Sequence, residues 1–588
     1  MILNRNIFSI LLFLFISSTV FATSEAEYKK LSKTYTLYTD GSQECRHYME
    51  LTLLTHTAMN RTYGESFIVY NPEYQELKIH SSFTRQKDGS IITTPENAFV
   101  EVLPRQAADA PAYNHLKEMV IVHTGLELGA TIYLDYSVIS KPGYLPELDI
   151  CESIRQTSPV KEFIIDVYVP ENKSLSYDFA LDNIKPVIKT DKGKKQLTWN
   201  IKNLAAISRE PLSTGIQGDV LFFTATTYPS TTDALNTLKK QFADRYYDAI
   251  KSLAESITRQ KTTKKERVYA ILKYITDDLS NSPLTIQETG FRIRPAEEVI
   301  LSAYGTEAEK INLLAGLLDA ADIENEIIAA FHPDITIGKC GLSAIQELFV
   351  KANTDGEIYY MTPKQKRMAE TAWFADYAKF MSVTNQGESV QIMKPLTVVD
   401  YKFDIFITND SANMIVAGKT GNSFLSYHSD YFKDYIANDK DASIISGNEY
   451  ATFNYSMSQL LKEKTNDYII FTLPDTHNSL SHSPYQHYNS KRSTRLLLPY
   501  KADEIFRYAI QLSPGIEMIT PESMNSVSNP VGDLTVSIIR NDRMIEVVRS
   551  LSIKKQLITK ADYAAFRSLM IEWGEINSRK LLFKVTEN

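Results

Sequence analysis

Cysteine is almost missing from this chain: Cys45, Cys151 and Cys340 are the only three among 588 residues. So sparse and odd a number excludes a disulfide framework as the source of the fold. If one bridge forms, Cys45 with Cys151, both in the N-terminal domain outlined below, is the pair expected. The Cys/His spacing of a structural zinc site is also missing, and neither a metal nor any other cofactor is expected. Beyond the N-terminus no apolar run approaches the ~20 residues of a membrane span. Long runs of one charge sign are missing as well: 63 Lys+Arg and 71 Asp+Glu are interspersed, giving a net charge of −8. That excludes the electrostatic footprint of a nucleic-acid binder. The densest basic cluster, KTTKK at 261–265, reads as a solvated link ahead of a helix. No repeat at solenoid periods and no low-complexity tract occurs.

What is present begins with MILNRNIFSILLFLFISSTVFATSEA. Arg5 forms a basic n-region, Ile7 to Ile16 an apolar h-region, and Val20-Phe21-Ala22 a small-residue cleavage site. Together they predict a secretory signal peptide over 1–22. Removing those 22 residues from 588 leaves 566 and takes the net charge from −8 to −9, since Arg5 is their only charge. No cysteine follows the cleavage site to carry a lipid. The expectation is an exported protein, periplasmic or extracellular, without a membrane span.

The remaining chain predicts three domains. From 23 to 230 the text is strand-like: in TIYLDYSVI, Ile132, Leu134, Tyr136 and Val138 alternate with Tyr133, Asp135 and Ser137, as in a half-buried antiparallel strand. Lys87-Asp88-Gly89-Ser90 reads as a hairpin turn. This is a β-sandwich-like domain. From 231 to 395 helical periodicity takes over, in TDALNTLKKQFADRYYDAIKSLAESI and KKERVYAILKYITDDL, followed by a hairpin, ELFVKANTDGEIYYM, that turns at Asp355-Gly356. An α+β domain is implied. From 396 to 588 strand patterning returns, interrupted by one helix over 560–574.

The best-built local signal is AYGTEAEKINLLAGLLDAADI, residues 303–323. Thr306 with Glu309 is a capping box, in which the hydroxyl accepts from the N3 amide and the carboxylate from the cap amide. Gly305 is expected to permit the sharp turn ahead of it. Ile311, Leu314, Leu318 and Ala321 fall at helical spacing, widened by Leu313 and Leu317, which predicts a helix buried on much of its circumference. Such an N-terminus lowers a thiol pKa through its free amides and dipole. The first helical residue here is Glu307 instead.

RPAEEVILSAYGTEAEKINLLAGLLDAADIENEIIAAF followed by QELFVKANTDGEIYYMTP resembles the transglutaminase-like superfamily. YNPEYQELKIHSSFTRQKDGSIITTPENAFVEV and GLELGATIYLDY resemble the N-terminal β domain found ahead of such domains in exported bacterial proteins, and the region after 395 is similar to their C-terminal β-rich domain. The resemblance implies a multidomain α+β architecture whose middle domain has the papain/transglutaminase-like fold and carries a Cys-His-Asp triad. Aligned on Gly305, Lys310 and Leu313-Leu314, the cysteine position falls on Glu307. Aligned on Val350-Lys351, the histidine position falls on Glu347, and Met361-Thr362-Pro363 puts Thr362 at the aspartate position. The spacing can be followed without the family. With a two-residue turn at Asp355-Gly356, Thr354 faces Glu357 and Phe349 faces Thr362. Glu347 then lies one diagonal step away on the same sheet face, roughly 5–8 Å between Cβ atoms.

Several functions follow as alternatives. Glu307 is either an acid that complements a helix dipole or half of a Glu307/Glu347 carboxylate pair that shares a proton or binds a cation. Cys340 with His332 is a candidate relocated nucleophile and base. His477, His482 and His487, five apart, read as a solvated loop rather than a metal site. Tyrosines in HSPYQHY and NPEYQEL read as cross-strand or core rings, with sugar or peptide stacking as the alternative. The expectation is an exported, catalytically inactive transglutaminase-like protein that serves as a binding or scaffolding module for a protein, peptide or glycan of the cell envelope. The rival is an active cysteine-type acyl transferase or hydrolase, or a carboxylate-pair hydrolase.

Overall fold

The structure, a computed structural model, describes residues 24–179, 184–207, 222–242, 248–364, 379–385, 387–392, 396–421, 443–446, 450–461, 464–465, 467–475, 491–498 and 501–586, with Glu210 and Leu480. The signal-peptide segment and His477, His482 and His487 lie outside these residues. The chain divides into two compact units: one built from residues up to 145, 154–173 and 184–207, the other from 146–153, 174–183 and 208 onward.

The first unit is a β domain. Its eight-stranded sheet runs in the order Val187–Asp191, Lys194–Leu204, Val160–Pro170, Ala26–Leu37, Gln43–Leu53, Thr131–Ser140, Gln75–Arg85, Ile91–Thr93. Thr131–Ser140 is a central strand rather than a half-buried one, and Thr131 through Asp135 are buried on both faces. A carboxylate can sit there because Arg46 grips Asp135 through two hydrogen bonds, Nε to Oδ1 at 2.8 Å and Nη2 to Oδ2 at 2.5 Å. The Asp88-Gly89 turn forms as expected, with Gly89 at φ 91° and the Ser90 amide donating to Asp88. Tyr74 of NPEYQEL stacks on Tyr144, centroids 5.0 Å apart.

The second unit contains the helical region and the C-terminal strands. Helices Thr231–Lys239, Asp248–Thr258 and Lys264–Lys273 match the predicted amphipathic stretches. Within KTTKK, Thr263 caps the third of these in a capping box with Glu266. Lys264 and Lys265 pair with Asp355 and Glu357 of the hairpin, at 3.1 and 3.3 Å. Helix α1 (Glu307–Ala320) follows its predicted cap, and Ala308 through Leu318 are buried without interruption. It packs on a four-stranded antiparallel sheet, which we label in chain order β1 (Glu324–Phe331), β2 (Ile345–Thr354), β3 (Glu357–Met361) and β4 (Lys379–Ser382). Across this sheet the order is β3-β2-β1-β4. The C-terminal region adds a second eight-stranded sheet, a four-stranded sheet and helix Tyr563–Gly574, where the 560–574 pattern placed it. Arg549 is fully buried there, donating to the Trp573 carbonyl at 2.8 Å while its guanidinium lies 4.6 Å from the Trp573 ring centroid.

The start of α1 departs from expectation in one detail. The left-handed residue that turns the chain is Ala303, at φ 57°, not Gly305. Gly305 sits in tight space: a Cβ there would come within 3.1 to 3.3 Å of Val299, Lys310 and Glu309 side chains, which would have to give by a few tenths of an ångström. Glu309 is fully buried and does more than cap. Its carboxylate accepts from the Thr306 amide at 2.8 Å and from Arg294 Nε and Nη2 at 2.9 and 3.1 Å. Arg294 also donates to the Tyr304 carbonyl at 2.9 Å. Removing the cation would strand a buried carboxylate, so Arg294→Ala should lower unfolding free energy by about 3–5 kcal/mol. Denaturant titration of the purified variant checks this, and a cost below about 1 kcal/mol would contradict the role given to Arg294.

Candidate functional site

The hairpin β2–β3 sets the register of the site. Asp355 and Gly356, both at positive φ (60° and 100°), make the two-residue turn, and the Gly356 amide donates to Asn353 at 2.9 Å. Thr354 then pairs with Glu357 and Val350 with Met361, the register deduced from the sequence. On its other side β2 pairs with β1, Glu347 opposite Ala330, next to a bulge at Phe331. Glu347 therefore sits near the start of β2, Thr362 just past the end of β3, and Glu307 in the first turn of α1.

These positions meet, and what joins them is a residue the sequence reading passed over. Lys364 Nζ lies 2.9 Å from Glu307 Oε2 and 3.4 Å from Glu347 Oε1. The Lys364 backbone amide donates to the Thr362 hydroxyl at 3.5 Å, and Thr362 is buried. The carboxylate pair thus binds a cation, and the cation belongs to the chain. Glu347 is the more enclosed acid, its side chain 16% exposed against 29% for Glu307 and 50% for Lys364. Burial pushes the Glu347 carboxyl up to about 7, with the Lys364 ammonium pulling it down and the Glu307 charge pushing it up. Burial works against the Lys364 charge, yet the two carboxylates outweigh it and raise its pKa. Glu307 Oε1 is buried and makes no hydrogen bond among the described residues.

One turn further along α1, Lys310 is buried and donates Nζ to the Leu279 carbonyl at 3.1 Å. Burial lowers its pKa to about 8. Four residues of the region, Glu307, Glu309, Lys310 and Lys364, thus carry charge in or beside a largely apolar helix terminus, each matched to an opposite charge or a carbonyl.

Cys340 and His332 are placed differently. Cys340 is fully buried, its carbonyl accepting from Thr231 Oγ1 at 2.7 Å and its Sγ 3.5 Å from the same hydroxyl. Burial pushes its thiol up to about 11, so the nucleophilic thiolate is scarce at neutral pH. His332, also buried, turns Nδ1 toward Asp334, where it accepts from the Asp334 amide at 3.2 Å, and packs 5.1 Å from the Phe222 ring. Asp334 in turn forms an ion pair with Arg495. Among the described residues no hydrogen bond joins Cys340 to Glu307, Glu347 or Lys364. Among the described residues no group of three His, Cys, Asp or Glu side chains could hold a metal ion. No described helix is long and apolar enough to cross a membrane.

A 2.00 Å solved structure from Parabacteroides distasonis, named a "putative protease", is 39% identical to this chain, covers 95% of it and 99% of its own length, and superposes with a TM-score of 0.74. The chain belongs to the transglutaminase-like superfamily. Its flanks match two domains of unknown function, DUF3857 over residues 39–208 and DUF3858 over 466–583. A second solved structure, a "putative cysteine protease" from Cytophaga hutchinsonii, is 13% identical over 42% of this chain and 86% of its own, with a TM-score of 0.18, too low to bear on the fold. No curated protein matches the sequence.

Lys364 had one legible signal: it stands two residues after Thr362, itself a position singled out by alignment to the superfamily. The site makes a pH prediction. The folded state holds the Glu347 proton more tightly than the unfolded chain, whose carboxyl titrates near 4.5. That contribution is complete below about 4.5 and lost as pH rises through about 7. Between those values the group should cost stability on the order of 1–3 kcal/mol with rising pH, a slope that Glu347→Gln removes. Lys364→Gln should move the Glu347 titration further upward by withdrawing the attractive charge. Denaturation at half-unit pH steps reads both effects, and an unchanged slope in Glu347→Gln would contradict the assignment.

Proposed function

We propose that the protein is an exported transglutaminase-like protein without acyl-transfer activity, a binding or scaffolding module of the cell envelope. One observation carries the reading. Where alignment to the superfamily puts the nucleophilic cysteine and its histidine, this chain has two carboxylates with a lysine ammonium held between them. A carboxylate in a salt bridge is a poor nucleophile toward an acyl carbon, and a lysine kept cationic is no general base at neutral pH. The buried Cys340 thiol supplies no obvious replacement, since its environment disfavours the thiolate.

The scaffold around these positions is intact, with cap, buried helix and hairpin all well formed, as in a domain retained for its surface. On this reading the three domains expected from the sequence, 23–230, 231–395 and 396–588, form one exported assembly whose ligand is a protein, peptide or glycan.

A second reading is favoured by the name of the 39% identical relative, a "putative protease": hydrolysis of peptide bonds, through Cys340 with His332 or through the Glu307/Glu347 pair. Purified protein should show no turnover of peptide, protein cross-linking or cell-wall substrates above a buffer blank. Turnover abolished by Glu307→Ala, or by Cys340→Ala, would overturn the proposal and name the machinery in one step. In the reduced native protein Cys340 should react with iodoacetamide at least ~100-fold more slowly than free cysteine, as a buried thiol with a raised pKa must.

A further inference from the structure

Strand Asp149–Ser153 belongs to the second unit, where it pairs with Phe222–Thr226. Alternation along it puts Asp149 and Cys151 on one face and Ile150 and Glu152 on the other. The Asp149 face is pressed against the segment that carries Cys340. Asp149 Oδ2 accepts from the Ser343 amide at 2.7 Å, and Gly341 approaches so closely that a Cβ there would lie 2.4 Å from Asp149 Oδ1. Cys340 immediately precedes Gly341, and Cys151 follows Asp149 by two residues on the same face. Both cysteines pack in the same apolar core, Cys340 fully buried and Cys151 at its edge. They are also close enough that Cys340 acts electrostatically on Cys151, adding to the burial that raises the Cys151 pKa.

The bridge expected from the sequence joined Cys45 to Cys151. In the structure Cys45 lies in the first unit, on strand Gln43–Leu53, while Cys151 lies in the second, and no disulfide joins them. The pairing by sequence proximity failed because segment 146–153 leaves the unit that holds its chain neighbours.

We propose that Cys151 and Cys340 are a disulfide-forming pair that staples strand Asp149–Ser153 to the segment leading into β2. The oxidant is a disulfide donor, of the low-molecular-weight or protein dithiol class. Cys151, partly buried at the edge of the core, loses its proton and attacks the donor; one donor sulfur leaves as a thiol and a mixed disulfide forms. Cys340, behind it in the core, then displaces the second donor sulfur. Two protons and two electrons pass from the cysteines to the donor, whose S–S bond is broken as the protein's is made. The closed loop spans nearly 190 residues, so the cross-link should constrain the unfolded chain strongly.

The test uses the full-length protein, treated with dithiothreitol or with oxidised glutathione, then alkylated and digested without reduction. After oxidation, mass spectrometry should find the Cys151 peptide joined to the Cys340 peptide. The melting temperature should rise by several degrees, a rise absent in Cys151→Ser and in Cys340→Ala but kept in Cys45→Ser. Both thiols alkylated after oxidation, Cys45 found in the cross-link, or a glutathione adduct that persists on Cys151 would each overturn the proposal. The peptide map keeps the idea falsifiable even if a variant folds poorly, and none of these outcomes depends on whether the protein has catalytic activity.

Discussion

A single buried carboxylate, Glu309, fixes the part of the protein where chemistry would occur. It closes the capping box of α1 with Thr306 and, with the same two oxygens, neutralises Arg294, whose guanidinium also ties down the Tyr304 carbonyl. An ionised group with no solvent must find both charge and hydrogen bonds, and here one residue of each kind meets the requirement. Because α1 is buried from Ala308 to Leu318, its N-terminus cannot drift, and Glu307 is delivered to a fixed point beside the sheet.

At that point the local electrostatics hold a cation. Two carboxylates brought within reach of one ammonium form a closed set: Lys364 stabilises both, while burial, with a smaller push from the Glu307 charge, raises the Glu347 pKa. The free amides and dipole of a helix N-terminus would stabilise a thiolate; the group in the first turn of α1 is the Glu307 carboxylate, paired with Lys364. The two functional readings differ in what this Glu307–Lys364–Glu347 set does.

Much of this was legible from residues close together in the chain. The Thr306/Glu309 box, the Asp355-Gly356 turn with its Thr354–Glu357 register, the helical stripes near 231–273 and the 560–574 helix all rest on rules that span four or five positions. What failed also failed locally: Gly305 was credited with a turn that Ala303 makes, and the 131–140 strand was taken as half-exposed when it lies at the centre of a sheet, its Asp135 matched by Arg46. A polar residue in an alternating strand looks solvent-facing until its partner on the neighbouring strand is known.

By itself the sequence determined the secondary structure around α1 and the β2–β3 hairpin, the resemblance to the superfamily, and the identity of the two acids. Capping, turn chemistry and hydrophobic period act over short separations and need no knowledge of the rest of the chain. Only the tertiary structure decided that Lys364 stands between Glu307 and Glu347, that Cys340 is sealed in the core, and that strand Asp149–Ser153 leaves its chain neighbours to lie against Gly341 and Ser343. Those pairings join residues from 17 to nearly 200 positions apart, and their cost in chain entropy is met only by packing the whole unit.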